Sequence, residues 1–231
     1  MKLSIIIPCY NEDEFVEDVI DKINQQPISD KEIIVVNDGS DQKTKDILEK
    51  CLNNKKIQKL INHELNMGKG EALRSGLKNI SGDIVIFQDA DLEYDPNDYT
   101  KMINPILLNK ADVVFGSRFL GSPDGQRVLY YWHRVANFLL TTLTNILINI
   151  NLTDMETGYK AFKKEAIKNI KLNENSFGIE PEITIKLALK NYRFYEVGVS
   201  YNGRTYSEGK KIKLKDAFIA VYCIFKYRFF S

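Results

Sequence analysis

The sequence predicts an α/β fold with a mostly parallel central sheet, and three observations predict it. Short β-rich runs alternate with helical patterns through the first half of the 231 residues, the rhythm of βαβ units. Several runs are apolar at consecutive positions rather than at every second one, as in strands buried on both faces. Most end in a polar or acidic cluster, where open parallel sheets place their ligands.

Leu3 to Ile7 is the first strand. Asn11, with Glu14 three residues on, is a candidate cap for a helix whose buried stripe is Phe15, Val16, Val19, Ile20 and Ile23. Glu32 to Val36 is the second strand and stops at the turn cluster Asn37-Asp38-Gly39-Ser40. Ile47, Leu48, Cys51 and Leu52 mark a second helix, Ile57 to Ile61 a third strand, Gly70 to Ile80 a third helix and Ile84 to Phe87 a fourth strand. Val113 to Phe115 follows as another short strand, then a loop from Gly121 to Gly125. From Tyr130 to Ile150 a helical period runs through Val135, Phe138, Leu139, Leu143, Ile146 and Leu147, with Thr141, Thr144, Asn145 and Asn149 opposite. The tail from Tyr195 holds a β-like run, a basic loop and a closing apolar helix.

Composition narrows the function. Thirty-two basic against thirty-one acidic side chains leave no global field that favours nucleic acid. Three scattered cysteines and two histidines form no zinc framework and fit a reduced compartment. The first apolar run is too short for a secretory signal, and no stretch approaches the roughly 18 apolar residues of a membrane span. The expected location is the cytoplasm, with at most peripheral contact at the inner membrane face.

Candidate chemistry sits after the strands. Asp89 and Asp91, which follow DIVIFQ, are placed to share one divalent cation with a diphosphate. The alternative for that pair, as for Glu12 and Asp38, is a turn or helix cap. Gly68-Lys69-Gly70 spells neither a dinucleotide fingerprint nor a P-loop. Arg204, Lys210, Lys211, Lys213 and Lys215 crowd the tail near Gly203 and Gly209, as a phosphate clamp or a solvated loop. Arg118 and Arg134 carry the same two readings.

Taken in order, SIIIPCYNED, EIIVVNDGSDQKT, NMGKGEALRSGL, DIVIFQDADLEYDP, DVVFGSRF, TDMETGYKAF, FGIEPEIT and YNGRTYSEGKKIKLKDAF resemble the family 2 glycosyltransferases. Among these they resemble the polyprenyl-phosphate glycosyltransferases similar to dolichol-phosphate mannose synthase. The resemblance implies a GT-A fold in one domain over 1–231, with a nucleotide-sugar-binding half at 1–115 and an acceptor-binding half at 116–231. It implies that Pro8, Tyr10, Asn11, Glu12 and Asp38 hold the nucleotide, with Lys69, Ala90 and Arg118 beside the donor. Asp89 and Asp91 would hold Mg2+ or Mn2+, with Glu93 as a third contact. Arg118, Arg134, Arg204 and Lys211 would meet phosphates, with Asp89, Asp91 and Arg204 carrying the catalysis. The implied reaction is inverting transfer of a sugar from a UDP- or GDP-sugar to a polyprenyl phosphate, with the membrane surface or a membrane protein as partner. A hydroxyl acceptor would instead need a base, for which Asp154, Glu156, Glu180 and Glu182 are candidates. A non-catalytic nucleotide-sugar-binding homologue is the reading outside the enzymes.

Overall fold

The computed structural model describes residues 1–121, 127, 130–205, 208 and 214–230. Seven strands form one sheet, β1 (Leu3–Cys9), β2 (Lys31–Asp38), β3 (Lys59–His63), β4 (Ile84–Phe87), β5 (Val113–Ser117), β6 (Lys160–Lys163) and β7 (Phe194–Gly198). Their order is β3-β2-β1-β4-β6-β5-β7. β6 runs antiparallel to both its neighbours, β4 and β5, and every other pairing is parallel. The expected mostly parallel sheet is therefore present, with one reversed strand near its middle.

Helices cover both faces. Ile5, Ile7, Ile33, Val35 and Ile86 meet α1 (Val16–Gln25), α2 (Gln42–Asn53) and α4 (Tyr99–Leu107) on one side. Ile6, Ile34, Val85, Phe87, Val113 and Phe115 meet α3 (Lys69–Leu77), α6 (Lys164–Lys168) and α7 (Ile179–Leu189) on the other. The alternation of Ile5, Ile6 and Ile7 between the two layers is the pleat of a strand covered on both faces. A third cluster joins α7 to α5 (Tyr131–Ile148) and α8 (Leu214–Phe229) through Leu140, Met155, Ile185, Cys223, Ile224 and Tyr227.

Three expectations change. Asn11 does not cap α1. It adopts a positive φ of 50°, its side chain accepts from the Asp41 amide at 2.9 Å, and Phe15 occupies the N-cap position without a side-chain hydrogen bond. β3 is an edge strand shifted to Lys59–His63, and α3 ends at Leu77 rather than Ile80. The helix over 131–148, for which the period alone sets no inner face, turns its polar side inward: Asn137, Thr141 and Thr144 are buried, while Phe138, Leu139 and Ile146 are exposed.

Glu32 ties the strand starts together. Its carboxylate accepts from Ser4 Oγ at 2.5 Å, from Ser81 N and Oγ at 2.6 Å each and from Gly82 N at 3.2 Å, and pairs with Lys2 at 3.0 Å. Burial alone would raise its pKa, but the hydroxyl, amide and ammonium donors outweigh burial and hold it at about 2. The folded-state pKa lies below the ordinary 4.5, so the stabilisation is complete above that value and is lost as pH falls toward 2. Urea unfolding should show a loss of order 3 kcal/mol across that window. Glu32→Gln should be weaker at pH 7 and lack this component of the acid loss.

Candidate active site

The strand ends gather the candidate residues on one rim. Pro8 lies in β1, and Tyr10, Asn11 and Glu12 follow it; Asp38 ends β2; Asp89, Ala90, Asp91 and Glu93 follow β4; Arg118 follows β5. Arg204 arrives on the segment after β7. Arg134 is exposed on α5, 5.6 Å from the Phe119 ring. Lys211, like Lys210 and Lys213, lies outside the described residues.

Asp38 is committed to shaping the rim. Its two oxygens accept from the Met67 amide at 2.9 Å and the Gly68 amide at 2.7 Å, and one of them lies 2.7 Å from His63 Nδ1. Gly68 has φ +96°, and side chains at Gly68 or Gly70 would strike the 174–175 backbone. Glycine is needed there because the backbone packs so closely. The result is a fixed start for α3, with Lys69 in its first turn.

Lys69 Nζ lies 2.9 Å from Asp89 and 3.2 Å from Glu180. Burial alone would lower the ammonium pKa, but these two carboxylates outweigh it and raise the value above the ordinary lysine range. Glu180 also pairs with Lys160, whose ammonium reaches the Met155 carbonyl at 3.2 Å and is wholly buried. Asp89, Lys69, Glu180 and Lys160 thus form an alternating chain of charges.

Asp91 faces a different cation. Arg204 Nη2 donates to it at 2.6 Å and lies 3.3 Å from Glu12, while Nη1 reaches Glu12 at 3.1 Å. Glu93 accepts from the Arg204 backbone amide at 2.9 Å and from the Tyr201 hydroxyl at 2.8 Å. Leu92 between the two acids has φ 59°, a conformation that costs a leucine about 1–3 kcal/mol. Burial, with the charges of Asp89 and Glu93, pushes the Asp91 carboxyl up to about 7 despite Arg204.

These contacts bear on metal binding. Among the described residues no group of three or more His, Cys, Asp or Glu is arranged to hold an ion. Among the described residues, four carboxylates, Glu12, Asp89, Asp91 and Glu93, nonetheless gather around the two cations Lys69 and Arg204. That acid excess, made entirely of oxygen donors, fits Mg2+ or Mn2+ bound jointly with an anionic ligand.

On the far side of β4, Arg118 Nε and Nη2 grip Asp154 at 2.7 and 2.8 Å. Asn137 of α5 donates to the same carboxylate at 2.9 Å. Burial alone would raise the Asp154 pKa, but Arg118 and Asn137 outweigh it and hold it below the ordinary range. The Arg118 guanidinium stacks 5.2 Å from the Tyr201 ring, and Tyr201 packs on Tyr94 at 5.2 Å. The segment Asp154–Gly158 crosses from this pair to the donor side: a Cβ on Gly158 would lie 2.6 Å from Asp89 Oδ2 and 2.8 Å from Lys69 Nζ. Sequence reasoning overlooked Tyr94, Asn137 and Lys160. Their signal was weak, because one lysine inside a short apolar run and one asparagine in a helix have ordinary explanations.

The rim of carboxylates and buried cations lies beyond the strand ends of the 3-2-1-4-6-5-7 sheet. The profile of glycosyl transferase family 2 matches residues 4–171, and the chain belongs to that family. It is 31% identical over 212 residues to the dolichol-phosphate mannosyltransferase of Pyrococcus furiosus, covering 91% of this chain and 59% of that protein's length. Identity is 33% over 181 residues to the UDP-N-acetylglucosamine–dolichyl-phosphate N-acetylglucosaminyltransferase of Methanococcus voltae, covering 71% and 70%. Among solved structures, glucosyl-3-phosphoglycerate synthase from Mycobacterium tuberculosis with Mn2+, UDP and phosphoglyceric acid superposes with a TM-score of 0.75 at 20% identity. The match covers all of this chain and 79% of that one.

The contact at Gly158 yields a prediction. Gly158→Ala should displace the ends of Asp89 and Lys69, weakening nucleoside diphosphate binding roughly tenfold or more. Thermal unfolding should shift little, because the atoms met are flexible side-chain ends.

Proposed function

We propose that this glycosyltransferase transfers a sugar, with inversion, from a UDP- or GDP-sugar to a polyprenyl phosphate at the cytoplasmic face of a membrane. Residues 1–115 serve the donor, with Pro8, Tyr10, Asn11, Glu12 and Asp38 around the nucleotide and Lys69 and Ala90 beside the phosphates. Residues 116–231 serve the acceptor, with Arg118, Arg134 and Arg204 near its phosphate. Asp89 and Asp91 would hold Mg2+ or Mn2+, with Glu93 beside them, and the ion when bound would supply positive charge to the departing diphosphate.

The observation that carries the lipid acceptor is the inverted polarity of α5. Its inner face spends Asn137, Thr141 and Asn145 on the Asp154 segment, through bonds to Asp154 Oδ1, the Met155 amide and both Leu152 backbone groups. Its outer face presents Tyr131, Trp132, Phe138, Leu139 and Ile146, with Trp132 74% exposed. The packed neighbour α8 adds Phe218, Tyr222, Phe225 and Phe229. These exposed apolar side chains, with Arg134 and Lys215 also exposed on the same two helices, suit an anionic membrane interface. Among the described residues no helix is long and apolar enough to cross a membrane. The names of the two relatives above also carry dolichol-phosphate and dolichyl-phosphate.

In the reaction, an acceptor phosphate oxygen attacks the anomeric carbon as the bond to the diphosphate breaks. The electron pair leaves on the diphosphate oxygen. The phosphate is already ionised, so no strong base is required, whereas a hydroxyl acceptor would need one. Asp154 and Glu182 suit that task poorly: Arg118 and Asn137 hold the first, and the Asn173 and Glu174 amides with Lys186 hold the second.

With membranes, Mg2+ or Mn2+ and labelled UDP- and GDP-sugars, label should enter the organic extract and stop doing so after chelation. Asp91→Ala should lose at least about a hundredfold in turnover with little change in thermal midpoint. Consumption of donor with label left in water would point to a hydroxyl acceptor instead. Phe138→Ser with Ile146→Ser should reduce flotation with anionic vesicles while leaving nucleoside diphosphate affinity unchanged.

A further inference from the structure

The segment between α5 and β6 brings one more carboxyl group to the middle of the site. Glu156 lies two residues after Asp154, the partner of Arg118, and two before Gly158, which packs on Asp89 and Lys69. Its Oε1 is buried with no hydrogen-bond partner, although the residue as a whole is partly exposed. The neighbouring acids are held: Asp154 by Arg118, and Glu180 by Lys160 and Lys69. An orphaned carboxyl oxygen of this kind costs stability unless something completes it.

The surroundings restrict what completes it. Burial raises the carboxyl to about 7, reinforced by Glu180 of α7 and Asp154, and opposed by Lys160 of β6 and by Arg118. A phosphate would be repelled by the ionised form, and a free cation would meet Lys160 and Arg118 close by. A hydroxyl group both donates and accepts, so it pairs with the carboxylate and with the acid alike. Between a diphosphate beside Lys69 and Asp89 and an acceptor phosphate beside Arg118, the hydroxyl-bearing group is the donor's sugar ring.

We propose that Glu156 hydrogen-bonds a hydroxyl group of the donor sugar and so helps determine which sugar is accepted. This rests on the reading of the chain as a nucleotide-sugar transferase. A site built around such a bond rejects a ligand that lacks the hydroxyl, because the buried acceptor is then left unpaired.

Calorimetric titration of UDP, GDP, UDP-glucose, UDP-N-acetylglucosamine, GDP-mannose and monodeoxy analogues of the sugar that binds provides the test. Glu156→Ala should bind the sugar conjugate about tenfold to a hundredfold more weakly and the bare diphosphate within about twofold. Wild type should reject one deoxy analogue by a similar factor, and Glu156→Ala should not distinguish it from the parent. Glu156→Gln keeps the shape if the alanine variant fails to fold, and should reduce the same discrimination at least about threefold. Unchanged discrimination in a folded variant overturns the role of Glu156 alone. So does a Glu156→Gln enzyme whose kcat loses its rise with pH at unchanged sugar affinity, the signature of a base serving a hydroxyl acceptor. A wild type that binds UDP or GDP but none of the conjugates overturns the nucleotide-sugar reading together with this one.

Discussion

Everything at the rim depends on holding several carboxylates side by side: among the described residues four of them gather around two cations. Glu12, Asp89, Asp91 and Glu93 share Lys69 and Arg204, which arrive from opposite halves of the chain. Burying like charges side by side opposes folding unless partners are fixed by the surrounding backbone. The Asp38 turn fixes Lys69, and the Tyr201–Glu93 bond with the Tyr94–Tyr201 bridge fixes the approach of Arg204. Much of the polar architecture at the strand ends therefore works to keep charges apart as well as to bind.

The second constraint is the buried lysine. Lys160 sits at the start of β6, where burial pulls its pKa down against the pull of Glu180. A hydrophobic residue would fill the same space at lower cost in desolvation. The ammonium instead fixes Glu180, which in turn touches Lys69, so the position of the donor-side lysine is set from within the core.

The sequence was most legible where burial is one-sided or complete along a run. The apolar runs of β1, β2, β4 and β5 and the stripe Val16, Val19, Ile20 and Ile23 all fall where their patterns place them. It was least legible where burial is not periodic. α7 buries Ile179, Glu180, Pro181, Glu182, Ile183, Thr184, Ile185 and Leu187 and so shows no stripe, and α4 carries Pro105 within it. β6 has four residues, one a buried lysine, and its reversal leaves no mark in its composition. The site residues were visible as strand-end clusters, but their pairing was not. Asp89 and Asp91 look equivalent as a motif, yet one faces Lys69 and the other Arg204.

The single reversed strand has a mechanical consequence. A parallel strand delivers its rim residues after the strand, into a loop that leads away to the next helix. β6 delivers its rim residues before the strand, on the segment that comes directly from α5. The helix with the apolar outer face is thus joined to the wall of the donor site through residues 149–159, without passing through the sheet. That short span is held at one end by Asn137, which donates to Asp154, and at the other by Gly158, packed on Asp89. The backbone thus runs from the helix that exposes Phe138, Leu139 and Ile146 directly to the carboxylates of the donor rim, which makes the two surfaces covalent neighbours.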